Sequence, residues 1–193
     1  MIEVCILLTR VNLIAMPVDA ANPPASPSSR ATKRVYLSLG SNRGDRAAHF
    51  RRAMEELERA GVKVQRVSSF YKTEPVDFSP QAWFLNCVVE ATTELMPMQL
   101  LKAVKSVERT LGRRPGVSKG PRTIDIDILL YENVVVRTTA LTIPHERMHE
   151  RRFVLVPLRD LAAGVRHPLS KRTIAELLAD TEDMSQVVKY KQD

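Results

Sequence analysis

Two aspartates separated by a single residue are the part of this chain best suited to chemistry. Asp125 and Asp127 alternate with Ile124, Ile126 and Ile128. Because successive side chains of a β-strand point to opposite faces, the pattern predicts isoleucines in a core and two carboxylates on the other face, about 6–7 Å apart. Like charges on one face repel, so a bound cation or a solvated surface must compensate them. Mg²⁺ binds carboxylate oxygens together with phosphate oxygens, and this pattern is typical of such a site.

Basic residues that precede the two aspartates supply charge of the opposite sign. Arg113, Arg114, Lys119 and Arg122 lie in a segment that also contains glycine and proline. Guanidinium groups bind phosphate and carboxylate oxygens through paired hydrogen bonds. The segment could hold the same polyanion from another side. The alternative interpretation is a solvated strand face with two surface aspartates. The neighbouring basic residues favour a metal and phosphate site over that alternative.

A second candidate site lies on the predicted strand 83–91. Phe84 and Asn86 would share one face of this strand. An aromatic ring beside a carboxamide suits a flat heterocycle, because the ring stacks while the amide donates and accepts hydrogen bonds at the edge. The alternative is a core phenylalanine and an asparagine that is satisfied within the sheet.

A third candidate group surrounds His145, in a segment with no clear helix or strand pattern. Thr142 precedes this histidine, and Arg147 and Arg151 follow it. Imidazole and guanidinium groups can bind phosphate oxygens. The alternatives are a loop histidine that is hydrogen-bonded to the backbone and arginines on an exposed helical face.

The strands that would position these groups are predicted from alternating apolar and β-branched residues. They are expected at 34–39, 62–71, 83–91 and 123–131, with a further short strand near Val134.

The helices are predicted from apolar residues at a spacing of three and four. The first ends at Gly61, the second runs from Pro97 to Gly112, and further helical pieces begin at Glu150 and at Ile174. The order strand, helix, strand, strand, helix, strand predicts an α+β fold. We expect a ferredoxin-like α/β sandwich, in which helices pack on a mostly antiparallel sheet.

Composition limits the classes of function. The chain has 193 residues, of which 44% are hydrophobic and 26% charged, so it is neither wholly disordered nor fibrous. The net charge of +7 favours anionic partners, which include nucleic acid, anionic lipid and phosphorylated small molecules. Cys5 and Cys87 lie far apart and do not indicate a disulfide framework or a zinc site. The glycine motifs of P-loop and dinucleotide-binding proteins are absent from the sequence, as are aromatic signatures of RNA binding.

The first 33 residues differ from the rest of the chain. They contain Pro17, Pro23, Pro24 and Pro27 and no aromatic residue, so we expect 1–33 to be a disordered N-terminal extension ahead of a domain at 34–193. The apolar stretch from residue 4 to 16 is too short and interrupted to span a bilayer. It also lacks the basic start of an export signal.

Five motifs occur in an order that resembles a known family. They lie at 40–42 (GSN), 69–75 (SFYKTEP), 84–86 (FLN), 120–127 (GPRTIDID) and 143–145 (IPH). Together they resemble the 6-hydroxymethyl-7,8-dihydropterin pyrophosphokinases of folate biosynthesis, from about residue 34 to about residue 168. The chain departs from the family pattern at Ser118 and Ala140, which bears on the basic residues that would bind ATP.

The resemblance implies a reaction and a set of ligands. The pyrophosphate of ATP would pass to the hydroxymethyl oxygen of the pterin, with release of AMP and with two Mg²⁺ ions held by Asp125 and Asp127. Arg122 and His145 would join these aspartates as catalytic residues. The residues that would line the ATP site are Arg113, Thr142, His145 and Arg151. Glu108 would support this side of the site.

The resemblance also implies a pterin site. Phe84 and Phe153 would sandwich the pterin ring, and Asn86 would bind its edge. Thr73 and the backbone near Val76 would assist. The implied partners are these small-molecule substrates, with no nucleic acid and no membrane, and the implied enzyme is a cytoplasmic monomer.

Two other interpretations remain open from the residues themselves. A basic ferredoxin-like module could bind RNA or another polyanion without catalysis, although it would not need Asp125 and Asp127 on one face. A different Mg²⁺-dependent phosphotransferase would use the same carboxylates. The nucleotide product separates the three: AMP, ADP or none.

Overall fold

The structure is a computed structural model that describes residues 31–75, 82–113 and 122–191. Residues 1–30, which make up most of the predicted extension, lie outside the described residues. The strands are β1 Lys33–Ser41, β2 Val62–Val67, β3 Tyr71–Thr73, β4 Phe84–Thr93, β5 Asp125–Tyr131, β6 Val136–Arg137, β7 Thr142–Ile143 and β8 Val187–Lys189. The helices are α1 Arg46–Arg59, α2 Pro97–Thr110, α3 Arg152–Ala162 and α4 Ile174–Ala179, with a 3₁₀ turn at Met148–Glu150.

One antiparallel sheet organises the described part of the chain. Its strand order is β5-β1-β4-β3-β8, and β2 pairs with β4 beside β3. Leu39 of β1 lies opposite Cys87 of β4 and Ile126 of β5. The two short strands β6 and β7 form a separate hairpin. This topology confirms the predicted ferredoxin-like α+β fold.

Apolar cores cover both faces of the sheet. On one face, the side chains of β1, β4 and β5 pack against α1 and α2, and on the other they pack against α3 and α4. No helix within the described ranges is long and apolar enough to cross a membrane. The largest fully buried residues of the first core include Phe50, Leu57 and Leu100, and those of the second include Leu129, Leu130 and Met148.

The two predicted amphipathic helices are confirmed, and local signals explain their ends. The carboxylate of Asp45 accepts a hydrogen bond from the Ala48 N–H at 2.9 Å, which satisfies a donor at the start of α1. Gly61 and Gly112 follow α1 and α2 with φ of +84° and +89°, a conformation that favours glycine after a helix.

The predicted strand 62–71 is wrong as a single element, because Ser68 interrupts it. The Val88 N–H donates to the Ser68 hydroxyl at 2.9 Å, while the Ser68 N–H donates to the Val88 carbonyl at 2.9 Å. A side-chain oxygen thus replaces a backbone acceptor, and the ladder resumes only at Tyr71.

Two short strands differ from prediction. Val134 lies in a turn, where its N–H donates to the Tyr131 carbonyl at 3.0 Å, and the strand near it is Val136–Arg137. Strand β8 was not predicted from sequence. It pairs with β3, with Val187 opposite Thr73 and Lys189 opposite Tyr71.

Candidate active site

Strand β5 carries the two aspartates along the edge of the sheet. Ile124, Ile126 and Ile128 are 0%, 1% and 4% exposed and enter the core beneath α1 and α2, which confirms the predicted alternation. Asp125 and Asp127 are half-buried between these positions. The carboxylates are therefore directed to the opposite face of the strand, as the sequence predicts.

Asp125 is enclosed by two guanidinium groups. Arg113 donates to its Oδ1 and Arg122 donates to its Oδ2. Burial by itself would raise the pKa of this carboxyl, but the positive charges of Arg113 and Arg122 outweigh burial and lower the pKa below its usual value. Asp125 is thus held in its ionised form, and the expected repulsion on this face is offset at Asp125 by the two arginines.

Glu108 fixes the geometry around Arg113 from the end of α2. Its carboxylate is 2% exposed, and Oε1 accepts both from Arg113 and, at 2.8 Å, from the Ile126 N–H. Lys105 donates to Oε2 at 2.9 Å. Burial raises the pKa of Glu108, against the lowering influence of these donors. Glu108 therefore connects α2, the edge of β5 and the guanidinium that binds Asp125.

Asp127 has different surroundings from Asp125. Burial and the negative charge of Asp125 raise its pKa, while His145 and Arg151 act in the lowering direction. Burial lowers the pKa of His145, although Asp127 acts against this change. The Arg147 N–H donates to His145 Nδ1 at 3.2 Å, so the ring proton of the neutral imidazole is expected on Nε2. The His145 N–H donates to the Leu129 carbonyl at 2.9 Å, which ties this loop to β5.

Arg151 combines burial with an unused hydrogen-bond donor. Its Nε is buried and has no hydrogen-bond partner among the described residues. Burial and the neighbouring Arg147 lower its pKa, while Asp127 raises it. The guanidinium carbon lies 5.6 Å from the ring centre of Phe153, within the range of a cation–π contact. A buried donor without a partner is costly, and an anion bound beside it would satisfy it.

Asn86 lies in a tightly confined position on β4. It is 4% exposed, and its Nδ2 donates to the hydroxyl of Thr73 at 2.7 Å. Gly40 is its cross-strand neighbour on β1, and a Cβ at Gly40 would lie 2.7 Å from Asn86 Oδ1. Phe84, at the start of β4, is half-buried and pairs with Thr73. The sheet therefore brings Phe84, Asn86 and Thr73 together.

Asn42 is a site residue to which sequence reasoning gave no role. Its Oδ1 accepts from the Arg122 N–H at 2.6 Å, and its own N–H donates to the Arg122 carbonyl at 3.1 Å. Asn42 is 6% exposed. It belongs to the GSN motif, but its partner lies 80 residues away, so nothing local in the sequence reveals the contact.

The structure gives less information on the other candidate residues. Thr142 lies in the small hairpin, opposite Arg137. Phe84 begins β4 and Phe153 lies in the first turn of α3, and their rings do not contact each other in the described ranges. Val76 and the basic segment 114–121 lie outside the described residues. Among the residues that the structure describes, no three His, Cys, Asp or Glu side chains form a group that could hold a metal by themselves.

Known proteins resemble this chain in both sequence and structure. A family model described as 7,8-dihydro-6-hydroxymethylpterin-pyrophosphokinase matches residues 36–163. The 2-amino-4-hydroxy-6-hydroxymethyldihydropteridine pyrophosphokinase of Bacillus subtilis is 47% identical over 132 residues, which are 68% of this chain and 79% of the relative. The enzyme of the same name from Aquifex aeolicus is 41% identical over 142 residues, 74% of this chain and 88% of the relative.

Longer proteins contain the same region. The mitochondrial folate synthesis bifunctional protein of Pisum sativum is 45% identical over 129 residues, 67% of this chain, and the match spans only 25% of that protein. A crystal structure of wild-type Plasmodium falciparum HPPK-DHPS with STZ-DHP superimposes with a TM-score of 0.63 at 17% identity, over 77% of this chain and 43% of that one. This structural likeness supports the fold. The family match and the bacterial relatives show more: the chain belongs to the 7,8-dihydro-6-hydroxymethylpterin-pyrophosphokinase family.

Proposed function

We propose that this chain transfers the pyrophosphate of ATP to the hydroxymethyl oxygen of 6-hydroxymethyl-7,8-dihydropterin, giving the pterin diphosphate and AMP. The family and the bacterial relatives are named for this activity. The observation that carries the proposal is the buried Nε of Arg151, which has no hydrogen-bond partner among the described residues. The positive charge of Arg151 also acts to lower the pKa of Asp127. Such a donor suits a phosphate group that is positioned by cationic side chains.

The carboxylate pair suits magnesium. Asp125 and Asp127 supply hard oxygen donors on one face of β5, and Mg²⁺ commonly takes only one or two carboxylates and completes its shell with water and phosphate. This donor chemistry fits the ion even though the described residues contain no complete protein cage. We propose that the pair holds two Mg²⁺ ions with ATP. When bound, these ions neutralise charge on the phosphate oxygens.

The ATP side of the site would be formed by the cationic residues around this pair. Arg122 and Arg113 are already directed at Asp125, and Glu108 holds Arg113 in place. His145 would donate from Nε2 to a phosphate oxygen, and Arg151 would donate from Nε. Thr142 would line the phosphates or the nucleoside of ATP. These residues position the phosphates and stabilise their charge, which is the main requirement of phosphoryl-type transfer.

The pterin side would be formed by the end of the sheet and the first turn of α3. The hydrogen bond from Asn86 to Thr73 holds the carboxamide in place. Asn86 would then bind the edge of the pterin ring. Phe84 and Phe153 would stack on the two faces of the pterin. The backbone near Val76 would add a further hydrogen bond. We also propose that the enzyme works as a cytoplasmic monomer on these small molecules, without nucleic acid or membrane.

The product of ATP consumption tests the reaction. The purified protein is mixed with ATP, MgCl₂ and the hydroxymethyl dihydropterin, and nucleotides are separated. AMP formed in step with pterin diphosphate is expected. ADP would instead indicate another phosphotransferase, and the absence of any nucleotide product would favour a binding module and refute the proposal.

The residue assignment is tested with Phe84→Ala. The KM for the pterin should rise about three- to tenfold more than the KM for ATP, because a stacked aromatic pair is lost. Phe70→Ala serves as the matched control, since Phe70 is half-buried like Phe84 and packs edge-on at 5.2 Å against the core residue Phe50. That control should lower the melting temperature without a selective change for pterin. Equal losses for both substrates with Phe84→Ala would leave it a core residue.

A further inference from the structure

The segment that follows α4 connects two parts of the substrate site. We propose that Asp183 is a positioning residue, which holds the start of α3 and with it Arg151 and Phe153. We call residues 183–189 the C-terminal strap. The family model ends at residue 163, so the match does not cover the strap. The expected changes in KM rest on the proposed function. The expected stabilisation of the start of α3 by Asp183 does not.

Helix α3 begins without a capping hydrogen bond from its own N-cap side chain. This N-cap residue is Arg151. The first N–H groups of a helix have no partner within it and need one from elsewhere. Asp183 Oδ2 supplies it, accepting from the Arg152 N–H at 2.7 Å across 31 residues of sequence. A carboxylate at this end of a helix also interacts favourably with the helix dipole.

The surroundings of Asp183 favour its ionised form. Burial alone would raise the pKa of this carboxyl, but hydrogen bonds from Ser185 and from the Arg152 N–H outweigh it and lower the pKa. Its Oδ1 accepts from the Ser185 N–H at 2.9 Å. Both carboxylate oxygens are therefore used, and the side chain is fixed between the strap and the helix.

The other end of the strap pairs with the segment that contains β3. The Gln186 N–H donates to Glu74 Oε2 at 3.0 Å, and the Glu74 N–H donates to the Gln186 carbonyl at 3.3 Å. Val187 then pairs with Thr73, the residue that binds Asn86. The strap thus joins the strand that orients Asn86 to the helix that begins beside Arg151 and Phe153.

The consequence follows from the position of Arg152 in the chain. Its two neighbours are the buried guanidinium of Arg151 and the ring of Phe153, which contact each other at 5.6 Å. Fixing the Arg152 amide limits fraying of the first turn and so fixes both side chains. Loss of Asp183 should therefore weaken the binding of both substrates and leave the reacting groups on β5 unchanged.

The test compares Asp183→Ala with Asp183→Asn, and uses Glu182→Ala as a control that removes an exposed neighbouring carboxylate. Kinetics are measured at a temperature well below unfolding. Asp183→Ala should raise the KM for both substrates about tenfold with kcat within about twofold, which is the scale of a lost charged cap. Asp183→Asn keeps one oxygen acceptor but loses the negative charge, so it should raise both KM values by a smaller factor of about threefold. Glu182→Ala should match the unmodified protein.

Hydrogen exchange in the substrate-free protein gives a readout that does not depend on activity. The amides of Arg152, Val154 and Leu155 should exchange faster in Asp183→Ala, while the last turn of α3 is unchanged. A lower melting temperature with normal KM values and normal exchange in this turn would make Asp183 merely structural and overturn the inference. If Asp183→Ala does not fold, Asp183→Asn decides. Hydrogen exchange and KM values in Asp183→Asn that equal those of Glu182→Ala would then overturn the inference. If the unmodified protein forms no AMP, the proposed function fails, while the exchange result still tests the contact.

Discussion

Asp125 and Asp127 share one face of a strand but not one environment. The sequence predicts their common face, because alternation is a local property of a strand. It does not predict that Asp125 binds Arg113 and Arg122 while Asp127 lies near His145 and Arg151. Such contacts depend on how distant segments meet, and the spacing of residues does not encode them. The same limit applies to Asn42, whose partner is far along the chain.

This difference predicts unlike effects of neutralising each aspartate. Asp125 has a lowered pKa, so its charge stabilises the fold above the unfolded pKa of about 3.9 and this stabilisation is lost as the pH falls through the lower folded value. Asp125→Asn should therefore lower the free energy of unfolding at pH 7 by about 1–3 kcal/mol. Asp127 has a raised pKa, so its charge is unfavourable at neutral pH and Asp127→Asn should leave stability unchanged or raised.

Denaturant unfolding in EDTA measures this contrast, with Glu55→Gln on the exposed face of α1 as the control for loss of a charge. Both site variants should also lose turnover by about a hundredfold or more, since each removes a proposed metal ligand. Near-normal turnover in either variant would contradict the metal-pair proposal. Equal destabilisation by the two substitutions would contradict the electrostatic contrast.

At the scale of elements, those with a clear local pattern were predicted correctly, and those that depend on pairing with a distant segment were not. Strands β1, β4 and β5 and helices α1 and α2 follow their periodicity closely. Ser68 breaks the strand predicted at 62–71 because its hydroxyl replaces a backbone acceptor for the Val88 N–H. This contact joins residues that are 20 apart in the sequence, so the local pattern does not reveal it. Strand β8 has only three residues and exists through its pairing with β3, so its own sequence carries little signal.

The pairing of β1 with β4 leads to a prediction for Gly40. Gly40→Ala would place a methyl group 2.7 Å from Asn86 Oδ1, so the Asn86 carboxamide must shift, which should disturb its hydrogen bond to Thr73. We expect a loss of stability of about 1–3 kcal/mol from overpacking. The KM for pterin should rise more than the KM for ATP. Gly164→Ala is the matched control, because a Cβ there meets nothing within 4 Å. A Gly40→Ala variant with unchanged pterin binding would show that the Asn86 amide does not contact the pterin.

At the scale of the whole molecule, the described sheet and the described core begin at nearly the same point of the chain. The first strand begins at Lys33, and the first core residue is Val35. The family match also begins at residue 36. The boundary expected from composition, between an extension at 1–33 and a domain at 34–193, stays a prediction that deletion of the proline-rich segment tests.

Deletion of residues 1–30 is therefore expected to leave turnover within about twofold and the melting temperature within a few degrees, because no described core residue is removed. A longer deletion of residues 1–36 provides the contrast. It removes Val35 and Tyr36, which are 0% and 4% exposed, and should prevent stable folding. Thermal unfolding and AMP production check both variants. A large loss with the shorter deletion would show that this segment contributes to the enzyme.

The buried thiol of Cys87 offers a way to measure how often the sheet opens. Its thiol lies at the centre of β4 with 0% exposure, and burial raises its pKa. A thiol reagent can reach it only when β4 separates from the layers that cover it, so in a Cys5→Ser background the rate of labelling measures how often the sheet opens. A ligand that binds only the closed form slows labelling by the factor 1 + [L]/Kd. The affinity of each substrate could therefore be measured separately, as a delay in the modification of one buried sulfur.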